Sequence, residues 1–270
     1  MKLALCNEMF PDVPLERVCA VTKRLGYEGI EIAPFTLAEQ VGEISSGRRR
    51  EIKSIITDQG LQTVGLHWLL AGSDGLHITT QDESVWDRTR DYLKQLIDLC
   101  HDLGGEVMVF GSPKQRSLLG GQTFEGAWQR AVDMFGAVLD QAKASNVMLC
   151  LEPLTTKETD FINTAAQGME MVRQLNHPNF KIHLDVKAMC GEAMPVADII
   201  RSVPVADIGH IHVNDENLYG PGMGQVDYAP IFEALGDIGW DRWLSVEVFK
   251  YDPDGETIAR RSIEYLKSFL

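Results

Sequence analysis

The sequence predicts a (β/α)8 barrel, the TIM-barrel fold, formed by one domain over residues 1–270. Short apolar segments alternate strictly with segments that repeat apolar residues at helical spacing, and there are eight of each. Such alternation predicts a parallel sheet with right-handed crossovers between its strands. Eight units within 270 residues are the number and length typical of a closed barrel.

The predicted elements follow one another along the whole chain. Strands are predicted at residues 3–6, 29–32, 61–68, 107–110, 147–151, 180–184, 208–213 and 243–246. Helices are predicted at residues 15–25, 46–59, 82–103, 124–144, 164–175, 196–203, 228–235 and 257–269. Gly26, Gly60 and Gly104 end the first three helices, and Thr164 is the predicted N-cap of the fifth.

The charge balance argues against nucleic acid as a partner. The formal net charge is −14 and the pI is about 4.9, so the protein repels phosphate backbones. The one basic cluster, residues 48–50 with Lys53, falls within an amphipathic helix pattern and is interpreted as a solvated helix face.

Cysteine usage and the N-terminus predict a soluble cytoplasmic protein. The five cysteines, Cys6, Cys19, Cys100, Cys150 and Cys190, are odd in number and lack CxxC spacing, which favours reduced thiols. The N-terminal segment reaches polar residues too early for a signal peptide, and no apolar run approaches the length of a membrane span. We therefore expect no membrane partner.

Side chains that can bind metal stand at the ends of strands five to eight. They are Glu152, Asp185, His212 and Glu247, which lie 33, 27 and 35 residues apart. Each acid could instead cap a helix or form a surface ion pair, but four matching positions favour one shared site at the C-terminal face. Converging carboxylates repel one another unless a cation is present. This donor set predicts one divalent ion, with manganese favoured and magnesium or cobalt as alternatives.

Four segments of the chain carry a family resemblance. They are residues 151–153 (LEP), 183–185 (HLD), 210–212 (HIH) together with 220–224 (GPGMG), and 245–247 (SVE). Through them the chain resembles the xylose-isomerase-like barrel superfamily of sugar isomerases and epimerases, over nearly its whole length. It is similar within that superfamily to the ketose 3-epimerases of the tagatose and psicose type. The resemblance implies that the same four residues bind the metal and that Glu158 contacts the substrate.

Two positions depart from the ketose 3-epimerase pattern. Ala188 stands where that family has a histidine, and Leu218 stands where it has an arginine. Both family residues touch hydroxyl groups of the sugar. We therefore expect a modified or larger keto-sugar as substrate, and not a free ketohexose.

The remaining candidates for substrate contacts lie at other strand ends. They are His67, Trp68, Glu8, Glu31 and Asn214, and after strand four Lys114 and Arg116, which could bind an anionic group. Each has a core, capping or solvated-loop alternative. His183 and His210 stand two residues before a proposed ligand and are interpreted as interior hydrogen-bonded groups, with Cys150 as a small apolar filler.

The resemblance and the residue types together predict one chemistry. A metal ion polarises a sugar carbonyl, and carboxylates at Glu152 and Glu247 remove and return the neighbouring proton. The predicted activity is sugar isomerisation or epimerisation by a homo-oligomer, a dimer or tetramer. A dehydratase or lyase of the inosose-dehydratase or keto-glycoside type is the alternative, and a non-catalytic sugar-binding subunit is a third hypothesis. The related apurinic-site endonucleases fit poorly, because their additional histidine ligands are missing.

Overall fold

The computed structural model describes residues 1–270, and it contains one closed barrel of eight parallel strands. The strands are β1 (Lys2–Cys6), β2 (Gly29–Ile32), β3 (Gln62–Leu66), β4 (Val107–Phe110), β5 (Met148–Leu151), β6 (Phe180–Asp185), β7 (Ile208–Val213) and β8 (Trp243–Val246). Each strand pairs with its neighbour in the chain, and β8 closes the barrel by pairing with β1. The predicted fold is confirmed.

Nine α-helices lie outside or above the barrel. They are α1 (Leu15–Leu25), α2 (Ser46–Asp58), α3 (Glu83–Leu103), α4 (Phe124–Ala144), α5 (Ala165–Leu175), α6 (Val186–Met189), α7 (Val196–Ser202), α8 (Ala229–Asp237) and α9 (Gly255–Lys267). Only α6 was not predicted. It begins because the Asp185 side chain accepts a hydrogen bond from Ala188 N, which caps a single turn directly after β6.

Local sequence explains where the long helices begin and end. Gly26 and Gly104 adopt left-handed backbone conformations, with φ of 94° and 84°, and end α1 and α3. Thr164 Oγ1 accepts a hydrogen bond from Gln167 N and caps α5, as predicted. These signals fix the boundaries, and the apolar faces of the helices then pack on the strands.

The strand register places the predicted site residues at the same level along the barrel axis. Asp185 on β6 pairs with His212 on β7, and one layer deeper His183 pairs with His210. His212 in turn pairs with Ser245 on β8, two residues before Glu247. A single apolar cluster of 67 buried residues surrounds this polar layer and holds it in place. None of the helices has the length and apolar character that a membrane crossing requires.

Candidate active site

The four predicted metal ligands meet at the C-terminal ends of β5 to β8. All four are buried, with at most 5% of the residue surface exposed. Glu152, Asp185 and Glu247 each offer a carboxylate oxygen within 4.8 Å of the others. His212 Nδ1 lies 3.1 Å from Glu247 Oε2, which places the imidazole beside the carboxylate group.

Glu152 and Asp185 are each held by neighbours from the adjacent strands. Arg116 is fully buried and donates a 2.7 Å hydrogen bond to the backbone carbonyl of Glu152. Gly111 leaves the space that the Glu152 carboxylate occupies, since a Cβ there would overlap Oε2. Asp185 Oδ1 accepts from Ala188 N at 2.7 Å, and Oδ2 accepts from Asn214 Nδ2 at 2.6 Å. Two hydrogen bonds therefore orient the Asp185 carboxylate. At Glu152 the hydrogen bond from Arg116 holds the backbone, and Gly111 leaves room for the carboxylate.

His212 and Glu247 are oriented in the same way from β2 and from the end of β3. His212 Nε2 donates to Glu31 Oε1 at 3.0 Å, which leaves Nδ1 as the nitrogen that faces Glu247. Glu31 Oε2 also accepts from His210 Nε2 at 2.8 Å. Trp68 Nε1 donates to Glu247 Oε1 at 2.8 Å. This arrangement supplies the carboxylate partner that histidine ligands of metals commonly have.

The pKa shifts of the three carboxylates show that burying them together without a cation is unfavourable. Burial, together with the charges of Glu247 and Asp185, raises the pKa of Glu152 well above its ordinary value. Burial and Glu247 also raise the pKa of Asp185. Burial would likewise raise the pKa of Glu247, but His212 reverses this effect and lowers it.

The donor set fits a divalent cation. Three buried carboxylates and one imidazole nitrogen form an oxygen-rich set of ligands, of the kind that manganese or magnesium prefers. A dication among them would neutralise the repulsion that raises these pKa values. The residues that would hold it are the predicted Glu152, Asp185, His212 and Glu247.

A cavity of about 300 Å³ opens beside this group, and Glu152 and Glu247 are the two of its four residues that line the cavity. Glu152, Glu158 and Glu247 line it, and the rings of Trp68 and Phe249 lie 6.0 Å apart in its wall. An aromatic surface next to several polar groups suits a sugar, which has both apolar faces and hydroxyl groups. The remaining lining residues are His67, Ala71, Gly72, Val109, Gly111, Ser112, Pro113, Lys114, Gln115, Leu154 and Lys187.

Lys187 is a cavity residue that no sequence pattern indicated. Its Nζ donates a 2.7 Å hydrogen bond to Glu158 Oε1 and lies 4.1 Å from the centre of the Phe249 ring. Burial would lower its pKa, but Asp185, Glu152 and Glu158 raise it, so the ammonium stays charged. Its position two residues after Asp185, a proposed metal ligand, was the one signal in the sequence. That signal is weak because no sequence pattern predicts helix α6.

The structure separates the other predicted contacts into two groups. Trp68, Glu158, His67 and Lys114 line the cavity. Arg116 does not line it, because its guanidinium donates to the carbonyls of Phe110 and Glu152, and this corrects its expected role in binding an anion. Behind the lining, Asn214 orients Asp185, and Glu8 and Glu31 bind histidines.

The interior residues lie one layer deeper, as predicted, but of the two histidines only His210 is hydrogen-bonded, through Glu31. Neither ring nitrogen of His183 has a hydrogen-bond partner, so the predicted hydrogen bonding of that residue is wrong. His183, His210 and Cys150 are all buried in the barrel. The His183 and His212 rings pack edge to face, with their centres 4.2 Å apart. Ala188 and Leu218 also lie outside the cavity lining. The Leu218 carbonyl accepts from Phe249 N at 3.0 Å, so this loop supports the aromatic wall through its backbone.

The fold and this donor set define a barrel protein with a candidate metal centre at the ends of its strands. Residues 19–269 match the xylose isomerase-like TIM barrel family, and the chain belongs to that family.

Named relatives agree with this family. The chain is 30% identical over 248 residues to an L-ribulose 3-epimerase of Mesorhizobium japonicum, covering 92% of this chain and 80% of that protein. It is 29% identical over 231 residues to a D-psicose 3-epimerase of Ruminiclostridium cellulolyticum, covering 84% and 75% respectively. A crystal structure of a D-psicose 3-epimerase in the presence of D-fructose superposes with a TM-score of 0.88 at 20% identity, over 100% of this chain and 99% of that one. These relatives confirm the prediction of an enzyme of the sugar isomerase and epimerase class.

Proposed function

We propose that this protein is a divalent-metal-dependent epimerase or isomerase of a keto-sugar. The observation that carries the proposal is that Glu152 and Glu247 line the same cavity. Trp68 holds the Glu247 carboxylate, and Arg116 holds the backbone carbonyl of Glu152. Two oriented carboxylates beside a cation site are what proton removal next to a carbonyl requires.

The residues of the chain divide the proposed reaction among them. A divalent ion, when bound, would supply Lewis acidity that makes the C–H next to the sugar carbonyl more acidic. Glu152 and Glu247, which come from β5 and β8, flank the sugar. One carboxylate takes the proton, and the other returns a proton to the opposite face or to the neighbouring carbon. Trp68 and Phe249 shield the reacting carbon from water.

The proposed substrate is a modified or larger keto-sugar, and the proposed ion is manganese, with magnesium or cobalt as alternatives. Ala188 and Leu218 cannot offer the polar contacts that ketose 3-epimerases make at these positions. The polar pair that faces the cavity instead is Lys187 with Glu158. A buried ammonium can only donate hydrogen bonds, so it selects a substrate with an acceptor at this place.

The test is a panel of free ketoses, keto-glycosides and inososes, incubated with manganese in deuterated water and followed by NMR. We expect metal-dependent incorporation of deuterium at the carbon next to the carbonyl, together with formation of an epimer or isomer. Loss of water from the substrate would show a dehydratase instead. Binding of a sugar without any exchange would show a binding subunit and would refute the proposal.

A further inference from the structure

A second group of potential metal ligands lies next to the carboxylate site, at the ends of β1 to β3. Cys6 and Glu31 pair across β1 and β2, and His67 follows β3. All three side chains are fully buried, and their ligand atoms lie within 4.8 Å of one another. None of the three is one of the four proposed ligands on β5 to β8, although Glu31 and Cys6 both contact His212.

His67 provides an independent sign that a partner is missing at this place. Its Nε2 is paired with Glu8 Oε2 at 2.6 Å, whereas its buried Nδ1 has no hydrogen-bond partner. Nδ1 lies 3.7 Å from Glu31 Oε1, too far for a hydrogen bond. Two ligands on one tetrahedral zinc ion stand about 3.4 Å apart, given bond lengths near 2.1 Å. The observed spacing is close to that value.

The surrounding contacts have the form of a metal site. A carboxylate that holds one imidazole nitrogen commonly leaves the other nitrogen for a metal, and Glu8 holds His67 in this way. One thiolate and one carboxylate would neutralise a dication. Burial raises the pKa of the Cys6 thiol to about 11, which argues against a role as a free nucleophile.

We propose that Cys6, Glu31 and His67 form a second, inner site for a zinc-type cation, reached through the cavity that His67 lines. Sulfur, nitrogen and oxygen ligands together suit zinc or cobalt better than magnesium. Because Glu31 also binds His212, the inner ion would link β1, β2 and β3 to the neighbouring carboxylate site.

Cobalt is the probe, because only the inner site has a sulfur ligand. The full-length Asp185→Asn variant, which lacks a carboxylate of the outer site, is titrated with Co²⁺. We expect one bound ion and a thiolate-to-cobalt charge-transfer band in the near ultraviolet. Adding Cys6→Ser should abolish the band, whereas Cys150→Ser, which changes another buried thiol of the barrel, should keep it.

A His67→Gln variant provides a second measurement if the serine variant folds poorly. It keeps the sulfur, so we expect a band that requires at least tenfold more cobalt. Absence of the band in folded Asp185→Asn protein, or its loss only in Cys150→Ser, would overturn the proposal. Absence of the band would also mean that His67 serves only as a cation between Glu8 and Glu31. The band does not depend on catalysis, so failure of the proposed epimerase activity is measured separately.

Discussion

Trp68 donates a hydrogen bond from Nε1 to Glu247 Oε1 across the mouth of the barrel, over 2.8 Å. The residue follows β3 and has a left-handed backbone conformation with φ of 52°, which is unusual for a bulky side chain. Its ring is held between Phe35 and Phe249, at centre distances of 6.1 and 6.0 Å. Packing thus maintains a strained conformation that gives one side chain two tasks, as aromatic wall and as partner of a proposed catalytic acid.

Trp68→Phe should separate these two tasks. Phenylalanine keeps an aromatic wall but leaves Glu247 Oε1 without its donor. Hydrogen bonds to charged groups contribute about 1.5–3 kcal/mol, so we expect turnover to fall about 10- to 100-fold. The rate of deuterium exchange on the panel substrate measures this. Trp128→Phe is the control, because it removes a similar hydrogen bond, to Gln174, on the exposed surface. Equal exchange rates in Trp68→Phe and Trp128→Phe would show that the Trp68 hydrogen bond has no role in catalysis.

Gly111→Ala should disturb the proposed metal site without changing any of its four proposed ligands. The added Cβ overlaps the place of Glu152 Oε2, so the carboxylate must move. We expect manganese affinity to fall about 10- to 100-fold, as for the loss of other groups that orient a ligand. Titration monitored by electron paramagnetic resonance measures it. Gly236→Ala in α8 is the matched control, since its Cβ meets no atom within 4 Å and should leave metal binding unchanged.

The sequence could predict the site residues that stand at strand ends, because they recur once in each strand-helix unit. Glu152, Asp185, His212 and Glu247 each mark the end of a predicted strand, so the barrel topology alone brings them together. The contacts that orient them depend on distant parts of the chain. The hydrogen bond between Trp68 and Glu247 spans 179 positions, and no local pattern encodes it.

The wrong expectation for Arg116 has a similar cause. An arginine in a loop after a strand is usually solvated, and only the packing shows that this one turns inward to backbone carbonyls. Lys187 was missed because Asp185 caps a short helix that has no pattern of its own. A residue's position in the loops above a barrel therefore follows from tertiary contacts, whereas the strand ends follow from the sequence.

Lys187 should contribute to substrate binding beyond its ion pair with Glu158. Lys187→Met keeps the apolar stem on Phe249 but removes the ammonium, and we expect kcat/KM to fall about 10- to 100-fold. Glu158→Gln alone and the double variant complete a mutant cycle. If the lysine contacts the sugar, the double variant stays impaired. Recovery of wild-type kcat/KM in the double variant would show that Lys187 only compensates the charge of Glu158.

Free ketohexoses should be poor substrates. The resemblance to the ketose 3-epimerases implies a histidine at position 188 and an arginine at position 218 as contacts to sugar hydroxyls. Ala188 and Leu218 cannot make such contacts with fructose, psicose or tagatose. We expect lower kcat/KM for these sugars than for the best keto-glycoside or other modified keto-sugar of the panel. The D-psicose 3-epimerase of Ruminiclostridium cellulolyticum, assayed in parallel, is the reference. Epimerisation of psicose at a rate near that of the reference would contradict this prediction.

The roles of Glu152 and Glu247 can be tested without removing the side chains that would hold the ion. Glutamine keeps the size and one carbonyl oxygen of each residue, but it cannot act as a base. We expect Glu152→Gln and Glu247→Gln to keep their fold and some bound metal and to lose about 10²- to 10⁴-fold in turnover, the usual size of a general-base contribution. Circular dichroism and metal analysis of each variant provide the controls for fold and loading.

Proton exchange then distinguishes the two acids. If they serve opposite faces of the sugar, the variant that keeps the first base still exchanges the substrate proton with solvent but forms no epimer. The other variant neither exchanges nor epimerises, because its first base is missing. Starting from the epimeric product should reverse these two results, since the first base is then the other acid. Wild-type turnover in both variants would mean that the carboxylates only bind the ion and that another group of the cavity moves the proton.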